Sequence, residues 1–458
     1  MFQTIDIPVW ALLLIAVFAA LSILERVIGP SIRWFFRKRA ERVVAEVNKR
    51  LNRPIEPFKL ARRHDMVQRL KYDLEVAEAI AHHAETEGVP EEVAFKLAEN
   101  FAREIVPSFS ASAYFGIGTR ASKWLSQSLY RVRLGAYDDR RISAINPEST
   151  VVFVMNHRSN MDYLLVTWLA ADRSALSYAV GEWARIWPLS SLIRTMGAFF
   201  IRRRSRSPLY RKVLARYVQM ATRGGVTQAV FPEGGLSLDG RIAPPKLGFL
   251  NYIVSGFDPE GRDVVFIPVA LNYDRVLEDR VLIEAHAEGE RKFRASVPKA
   301  IGFVFRQIGK RLRGRFHRFG YAAVSFGAPL SLAEFSNTTT RNVTAAVGAE
   351  LRDRISKVVP ILPVPLVASV LEDADGPITR DELVARARER LERLEASGAH
   401  AHIPRKNLDY AIETGVRMLC LRGMVDESDS VLTIADHERA VLTYYANSIR
   451  HLIPAEES

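Results

Sequence analysis

The stretch Thr150–Asp162, TVVFVMNHRSNMD, decides the fold class of this chain. Its first half is apolar or β-branched and carries no charge, which is typical of a strand buried on both faces of a sheet. A polar loop follows at once, and Tyr163 to Ala171 then has the composition of a helix. This order predicts a strand, a loop at the carboxyl edge of a sheet, and a helix.

Three further runs of the same kind follow along the chain, separated by helical stretches. They are Thr227 to Phe231 (TQAVF), Val264 to Leu271 (VVFIPVAL) and Ala322 to Phe326 (AAVSF). The alternation predicts an α/β core, with a mostly parallel sheet flanked by helices. Apolar residues three or four positions apart predict helices on both sides of this core, in the N-terminal and C-terminal regions.

The predicted organisation has four parts. Residues 1–30 form an N-terminal transmembrane anchor, 31–135 a helical membrane-proximal region, 136–345 the α/β domain and 346–458 a helical C-terminal domain. In the last part, Thr379 and Glu382 match a capping box that opens a helix to about Leu394. The absence of an internal repeat argues against a solenoid.

The anchor is predicted from Ile7 to Leu24, a run without charge that is just long enough to cross a bilayer core. Asp6 and no basic residue precede it, which argues against a cleaved signal peptide. Basic residues follow it instead: Arg26, Arg33, Arg37, Lys38, Arg39 and Arg42. By the positive-inside rule, we expect a single-pass anchor with everything downstream in the cytoplasm.

The segment from Trp34 to Arg42 mixes aromatic with basic residues, as does a helix that lies along an anionic headgroup layer. An ordinary solvated helix next to the membrane fits the same pattern equally well.

Composition limits the class of protein further. Lys and Arg number 64 against 52 Asp and Glu, and the net charge of +12 favours anionic partners such as phospholipid, phosphorylated substrates, coenzyme A or nucleic acid. Cys420 is the only cysteine, which excludes an internal disulfide and multi-cysteine metal sites. The apolar and charged fractions, 48% and 25%, are those of a globular protein rather than a disordered or polytopic one.

His157 and Asp162 are the first candidate site residues. Residues five apart in one helix differ by about 140° in direction, so the two side chains meet only across a loop. With His157 in the loop and Asp162 in the first helical turn, the carboxylate orients the ring, and the pair predicts a general base for an alcohol. A helix-capping aspartate beside an incidental surface histidine explains the bare spacing at least as well.

A second block, Gly197 to Arg204 (GAFFIRRR), is an apolar run that ends in guanidinium groups. Arg202 and Arg203 after a strand predict an anion pocket, because the forked donors of arginine fit a phosphate. A solvated basic turn, or a contact with lipid headgroups, remains an alternative for the same residues.

Two more blocks follow at strand ends. In FPEGG, Glu233 stands at the end of a strand, and Gly234 and Gly235 allow close approach of a ligand to the backbone. An isolated tight turn with an exposed glutamate is the alternative interpretation. Pro268 lies inside an apolar run, which predicts an edge strand or a bulge there.

In their order and context, these four blocks resemble the glycerophospholipid acyltransferase superfamily, with its H-x-x-x-x-D, arginine-ended strand, E-G block and proline-bearing strand. The motif sequences are most similar to those of the membrane-bound glycerol-3-phosphate acyltransferases, because Glu233 is followed by two glycines. Pro365 to Ser369 (PLVAS) and Leu442 to Leu452 (LTYYANSIRHL) also resemble the C-terminal half of those enzymes.

The resemblance implies roles for individual residues. His157 is implied as the base and Asp162 as its orienting partner, whereas Pro268 is implied to help form the acyl-donor side. The substrate-binding residues implied around the acceptor phosphate are Arg202, Arg203, Glu233, Gly234, Gly235, Arg241 and Lys246. The family usually has arginines after E-G-G, but Leu236 and Leu238 stand in those places here.

The implied reaction moves a fatty acyl group from acyl-CoA or acyl-carrier protein to the sn-1 hydroxyl of glycerol-3-phosphate. It needs no cofactor or metal, and it is expected on the cytoplasmic side of a cell inner membrane rich in anionic phospholipid. Leu236 and Leu238 keep 1-acylglycerol-3-phosphate and dihydroxyacetone phosphate open as acceptors.

Two other classes of protein account for parts of the sequence. One is a non-catalytic lipid-binding protein with the same fold, against which His157 and Asp162 argue. The other is a nucleic-acid surface formed by the basic clusters Arg202 to Lys212 and Arg306 to Arg318. The predicted anchor, and the lack of a nucleic-acid-binding motif, argue against such a partner.

Overall fold

The computed structural model describes residues 8–171, 173–181, 189–202, 205, 207–289, 318–339, 341–374 and 376–453, without the side chains of 20–37 and 39–40. The chain divides into two compact units, Met1–Pro54 and Ile55–Ser458. The four-part organisation predicted from the sequence stays a prediction.

The first unit contains one long helix, α1 (Val9–Asn48). Within the described part of the chain, no helix combines the length and the apolar character needed to span a membrane. The predicted span is only partly described, because Ile7 and the side chains of residues 20–24 lie outside the described residues, as do most side chains between Trp34 and Arg42. The transmembrane anchor therefore stays a prediction.

The second unit begins with helices that precede the sheet. They are α2 (Pro57–Leu60), α3 (Arg63–Lys71), α4 (Leu74–Glu87), α5 (Glu91–Ile105), a π-helical segment (Ser112–Gly118) and α6 (Thr119–Leu129). Pro90 and the acidic residues Glu91 and Glu92 open α5, as helix-start preferences predict. The buried faces of α3, α4 and α5 join one of the two main cores of this unit.

The main sheet has eight strands in the described chain. They are β1 (Arg131–Leu134), β2 (Thr150–Met155), β3 (Ser177–Val180), β4 (Phe199–Phe200), β5 (Gln228–Val230), β6 (Val264–Tyr273), β7 (Tyr321–Phe326) and β8 (Leu330–Ser331). The order is β1-β7-β6-β2-β5-β3-β4, with β8 also paired to β6. Only the pairs of β6 with β7 and β8 are antiparallel. The predicted, mostly parallel α/β sheet is confirmed.

Helices cover both faces of the sheet. Those between its strands are α7 (Asp139–Ser143), α8 (Met161–Leu169), α9 (Leu189–Thr195), α10 (Pro208–Arg223), α11 (Leu247–Ser255) and α12 (Asp279–Ala287). Alternate residues of β2 enter different cores, with Phe153 and Met155 on one face and Val152 and Val154 on the other. Burial on both faces explains why this strand is a continuous apolar run.

The C-terminal region is helical with a small second sheet, in which β11 (Val431–Ile434) lies between β10 (Val425–Ser428) and β9 (Ile378–Thr379). Its elements are α13 (Leu332–Thr338), α14 (Val343–Lys357), α15 (Pro363–Glu372), β9 (Ile378–Thr379), α16 (Arg380–Ala396), a 3-10 turn (Pro404–Lys406), α17 (Leu408–Cys420), β10 (Val425–Ser428), β11 (Val431–Ile434), a second 3-10 turn (Asp436–Glu438) and α18 (Arg439–Arg450). The predicted cap is confirmed, since the Thr379 hydroxyl accepts a bond from the Glu382 amide at 3.3 Å.

Strand β6 is not an edge strand, so the edge alternative predicted from its proline was wrong, whereas the pairing opposite Pro268 is irregular, as the bulge alternative expects. Strand β6 is buried along its whole length, with β2 on one side and β7 and β8 on the other. Pairing with β8 ends at Phe266 and pairing with β7 begins at Val269, so Pro268 falls at the junction. Its carbonyl accepts from the Gly327 amide at 2.8 Å, so its missing N–H faces this gap between partners rather than β2.

Candidate active site

The candidate site lies in the loop that follows β2, at the carboxyl edge of the sheet. We call Asn156–Asn160 the His157 loop. Its first residue is fixed to the neighbouring strand, because the Asn156 amide donates to the Leu271 carbonyl at 3.0 Å and its oxygen accepts from the Leu271 N–H at 2.8 Å. Helix α8 then starts at Met161, which puts Asp162 in the first helical turn, as predicted.

His157 and Asp162 meet across this loop. Nδ1 of His157 lies 2.9 Å from Oδ2 of Asp162, and the two side chains are 2% and 0% exposed. Oδ2 also accepts the backbone N–H groups of Arg158 at 2.7 Å and Ser159 at 3.0 Å. Because the carboxylate only accepts, Nδ1 donates to it, and the neutral ring then carries its lone pair on Nε2.

Aromatic side chains fix the plane of the imidazole. The His157 ring stacks on Phe231 with centroids 4.0 Å apart and an angle of 24° between the planes. Tyr163 meets the same ring edge-on at 5.5 Å. Phe231 is the first residue of the FPEGG turn, so this turn and the His157 loop are packed together.

Glu233 holds two loops rather than standing exposed at a strand end. One carboxylate oxygen accepts the His157 N–H at 2.9 Å, and the other accepts the Ala243 N–H at 3.0 Å. Burial raises the pKa of Glu233 to about 7, against the opposing effect of these two bonds. Glu233 is 6% exposed, and it supports the site by binding the backbone N–H groups of His157 and Ala243.

The glycines and Lys246 lie together at the FPEGG turn. Gly234 has φ +69°, and a Cβ there would lie 2.8 Å from Cδ of Lys246. The Lys246 N–H also donates to the Pro232 carbonyl at 2.8 Å. The turn thus brings Glu233, Gly234 and Lys246 together, with Gly235 next in the chain, and a bulkier residue at Gly234 would displace the lysine.

Arg241 is connected to the His157 loop through its backbone. Its side chain is exposed and lies 4.0 Å from the carboxylate of Asp239. The Arg241 carbonyl accepts from the Ser237 hydroxyl at 2.7 Å, and the Ser237 N–H donates to the His157 carbonyl at 2.9 Å. The turn after FPEGG is therefore joined to the residue that carries the imidazole.

Arg202 is held elsewhere. Its Nε and one terminal nitrogen donate to the two carboxylate oxygens of Glu104 on α5, at 2.9 and 2.6 Å. Its guanidinium lies over the rings of Phe101 and Tyr210, which belong to the core on the other face of the sheet from Phe231. The structure does not place Arg202 beside His157, so its role with the acceptor phosphate stays a prediction.

Other predicted binding residues lie in the sheet or outside the described chain. Arg203 and residues 306–317 lie outside the described residues. Pro268 pairs with Val154 inside the sheet, so its role on the acyl-donor side stays a prediction. Among the side chains that the structure describes, no group of three or more His, Cys, Asp or Glu is arranged to hold a metal ion.

Sequence reasoning assigned no role to two residues that contact the His157 loop or Asp162. The Tyr273 hydroxyl lies 2.5 Å from Oδ1 of Asp162, and Glu278 accepts bonds from Ser159 and Asn160. Tyr273 ends β6 and Glu278 follows it, and β6 is parallel to β2, so its end falls at the same edge of the sheet. That position was the available signal, because ligand-facing residues gather where parallel strands end.

Comparison with known proteins gives two family matches. Residues 138–272 match the acyltransferase family model, and residues 305–456 match the model for the C-terminal region of glycerol-3-phosphate acyltransferase. The first range contains the His157 loop and the FPEGG turn, and the second contains the helices that follow the main sheet.

The curated relatives carry the same family name as the C-terminal match. Glycerol-3-phosphate acyltransferases of Aeromonas hydrophila and Pseudomonas syringae pv. tomato are 29% and 28% identical to this chain over 422 and 424 residues. These alignments cover 86% of this chain but 50% and 49% of the relatives. The chain thus spans about half the length of the curated relatives it matches. The resemblance to the glycerol-3-phosphate acyltransferase family is confirmed.

Among solved structures, the chain is similar to the 1-acyl-sn-glycerophosphate acyltransferase of Thermotoga maritima. The overlap covers 53% of this chain and 79% of that one, at 20% identity and a TM-score of 0.29. A score this low does not support a closer comparison of the two proteins.

Proposed function

We propose that this chain, which resembles the glycerol-3-phosphate acyltransferases over most of its length, transfers a fatty acyl group from a thioester carrier to the sn-1 hydroxyl of glycerol-3-phosphate. The carrier is acyl-CoA or acyl-carrier protein, and the product is a lysophosphatidate for phospholipid synthesis. The observation that carries the proposal is the buried His157–Asp162 pair at the carboxyl edge of the sheet.

The proposed reaction uses the lone pair that the neutral His157 imidazole carries on Nε2. Nε2 of His157 takes the proton of the acceptor hydroxyl as the oxygen attacks the thioester carbonyl carbon. The tetrahedral intermediate collapses with loss of the C–S bond, and the thiolate takes the proton from the imidazolium. Asp162 stabilises the imidazolium between these two steps, as the carboxylate does in other oriented histidine pairs.

The acceptor phosphate is proposed to lie near the FPEGG turn. Lys246 packs on Gly234, and Arg241 precedes it in the same loop. Arg202 is already paired with Glu104, and Arg203 is not described. Lys246 and Arg241 are the proposed phosphate ligands at this turn, and the role of Arg203 stays a prediction from the sequence.

One observation favours a second candidate acceptor. Leu236 and Leu238, which stand where the family usually has arginines, are partly buried and pack against the core that contains Phe231. Two guanidinium groups are thereby replaced by apolar surface next to the turn. An acceptor with more apolar character, 1-acylglycerol-3-phosphate, fits such a site, and dihydroxyacetone phosphate remains an alternative with the same phosphate.

The proposed location is a cell inner membrane, with residues 1–30 as a single-pass anchor and the rest in the cytoplasm. It is supported by the uncharged run from Ile7 to Leu24 and by the basic residues after it. Anionic phospholipid is the proposed membrane partner of the basic segment that ends at Arg42.

An acceptor assay tests the function. Purified full-length protein receives acyl-CoA or acyl-carrier protein together with glycerol-3-phosphate, 1-acylglycerol-3-phosphate or dihydroxyacetone phosphate, and released thiol and labelled lipid are both measured. We expect the highest kcat/KM with glycerol-3-phosphate, and transfer about a hundredfold or more slower in His157→Gln. Preference for another acceptor would select the second candidate. Vesicle binding without thiol release, for every donor and acceptor, would instead indicate a non-catalytic lipid-binding protein.

A further inference from the structure

The catalytic pair is contacted by a segment to which the sequence analysis assigned no role. We call Tyr273–Glu278, which runs from the last residue of β6 to the residue before α12, the post-β6 segment. It supplies partners to residues in and beside the His157 loop. These contacts come from a part of the chain 111 or more residues away from their partners.

The first contact reaches the carboxylate of the pair. Three donors crowd Oδ2 of Asp162, and the Tyr273 hydroxyl lies at 2.5 Å from the other oxygen, Oδ1. Burial, reinforced by the Asp162 charge, raises the pKa of Tyr273 well above its ordinary value, so the hydroxyl keeps its proton and donates. Both carboxylate oxygens are therefore fixed, and Asp162 cannot turn away from His157.

The second contact reaches the loop itself. The Glu278 carboxylate accepts from the Ser159 hydroxyl at 2.8 Å, the Asn160 N–H at 3.2 Å and the Asn160 side-chain amide at 3.1 Å. The Ser159 hydroxyl in turn accepts the Met161 N–H at 3.1 Å, at the start of α8. Glu278 thus holds the stretch of backbone that sets the spacing between His157 and Asp162.

The C-terminal region holds the post-β6 segment from its other side. The Tyr445 hydroxyl of α18 accepts the Val276 N–H at 3.0 Å and donates to Asp279 at 2.5 Å. Arg422 pairs with the same carboxylate. The segment is therefore fixed between the His157 loop and the C-terminal helices.

From these contacts we propose that Tyr273 and Glu278 are positioning residues, which orient the His157–Asp162 pair and tie its geometry to the C-terminal region. Neither side chain is assigned to the substrate. The proposal rests on the proposed function for its kinetic readout, since the pair must be the base of the reaction for kcat to report on it.

Tyr273 has a further effect on the base. Its hydroxyl shares the negative charge of Asp162, so removing it concentrates that charge on the bond to His157. The imidazolium is then stabilised more strongly, and the ring holds its proton to a higher pH. Loss of the hydroxyl should therefore shift the acidic limb of the activity profile to higher pH as well as slow the reaction.

The test is Tyr273→Phe, compared with Tyr114→Phe. Tyr114 is a tyrosine as buried as Tyr273, but its hydroxyl accepts a bond from the Leu176 N–H at 3.0 Å instead of meeting the Asp162 carboxylate. We expect kcat of Tyr273→Phe to fall about tenfold or more, as for other partners of an oriented histidine, with both KM values nearly unchanged. The acidic limb should shift to higher pH in Tyr273→Phe, whereas Tyr114→Phe should change neither the limb nor kcat.

A measurement that does not depend on catalytic activity tests the positioning role separately from the proposed function. The titration of the His157 ring is followed by NMR of histidine labelled at Cε1, with the signal assigned from His157→Gln. A midpoint that rises in Tyr273→Phe but not in Tyr114→Phe supports the proposal even if no acceptor is acylated. An unchanged midpoint and acidic limb in a folded Tyr273→Phe would overturn it.

Glu278 provides the second variant, should Tyr273→Phe fail to fold. Glu278→Ala removes all three acceptor contacts. In Glu278→Gln the amide oxygen can still accept the two Asn160 bonds made to Oε1, and the NH2 group in the place of Oε2 can donate to the Ser159 hydroxyl. We expect kcat to fall about tenfold in the alanine variant and to be largely restored in the glutamine variant, at nearly constant KM. Equal kcat in the wild type and Glu278→Ala would contradict a positioning role.

Discussion

At the scale of single residues, the strongest expectation concerns the catalytic pair. His157→Gln or Asp162→Asn should lower kcat by about a hundredfold or more, because a general base contributes on that order. The substitutions keep the approximate size of each side chain, and the new amide group occupies about the same space as the imidazole or the carboxylate that it replaces. The melting temperature and membrane attachment should therefore remain close to those of the wild type, which thermal unfolding and vesicle binding check. Turnover that survives either change would assign the base elsewhere.

Glu233 should make the stability of the fold depend on pH. Its pKa is raised by burial from an ordinary 4.5 to about 7, so the folded protein binds a proton that the unfolded chain has lost in that range. The stabilisation is complete below about pH 4.5 and is lost as pH rises through about 7. Because a change of one in pKa corresponds to roughly 1.4 kcal/mol, this contribution to the free energy of unfolding is about 3 kcal/mol at most.

Glu233→Gln cannot titrate, so its fall in melting temperature between about pH 5 and 7 should be shallower than in the wild type. Calorimetry over a series of pH values measures the difference. Glu87, an exposed glutamate at the end of α4, provides the control as Glu87→Gln. Parallel curves for the wild type and Glu233→Gln would rule out a carboxyl of raised pKa at this position.

Sequence reasoning found those site residues whose partners are close along the chain. His157 and Asp162 are five residues apart, and a loop that starts a helix is enough to bring them together. The partners it missed are remote: Tyr273 meets Asp162 across 111 residues, and Glu104 meets Arg202 across 98. Such pairings depend on strand order, which local periodicity does not specify.

At the scale of elements, the loop after the FPEGG turn is fixed against α18 by one glycine. Gly240 has φ +89°, and a Cβ there would overlap the Tyr444 carbonyl oxygen. The neighbouring Asp239 carbonyl accepts from the Asn447 side chain at 2.9 Å, so loop and helix are in direct contact. Only a residue without a side chain allows this approach.

Gly240→Ala should therefore lower the free energy of unfolding by more than the cost of placing an alanine in a left-handed backbone conformation. A left-handed conformation costs an alanine about 1–2 kcal/mol, and the contact with a backbone oxygen should bring the total to about 3 kcal/mol. Gly88→Ala isolates the first effect, since Gly88 also has positive φ but open space around it. Denaturant unfolding compares the two, and equal losses would show that the contact with Tyr444 does not constrain the loop.

Strand prediction succeeded where burial is two-sided and failed where strands are short. The run TVVFVM coincides with β2, and VVFIPVAL lies within β6, because strands covered on both faces are continuously apolar. The two-residue strands β8 and β9 have too few residues to show a period. Pro268 left an edge strand and a bulge as alternatives, because the change of partner from β8 to β7 cannot be inferred locally.

At the scale of the whole molecule, the N-terminal unit should provide more than one kind of membrane attachment. The uncharged run from Ile7 to Leu24 is the proposed anchor, and the segment from Trp34 to Arg42 adds aromatic and basic residues after it. Each basic side chain near anionic lipid contributes about 1 kcal/mol, so several of them hold a protein without a spanning helix. This contribution depends on salt, whereas that of a spanning helix does not.

Deletion of Met1–Leu24 should therefore turn firm attachment into reversible binding. We expect the truncated protein to sediment with anionic vesicles at low salt and to be released at about 1 M salt, where screening reaches only about 3 Å. Full-length protein should resist the same wash. Neutral vesicles provide one control, and a truncated variant with Arg37, Lys38, Arg39 and Arg42 changed to Gln provides the other. Because the deletion leaves the second compact unit, Ile55–Ser458, intact, loss of binding can be read as loss of contact with lipid. A truncated protein that stays in the supernatant at low salt would leave Ile7 to Leu24 as the sole attachment.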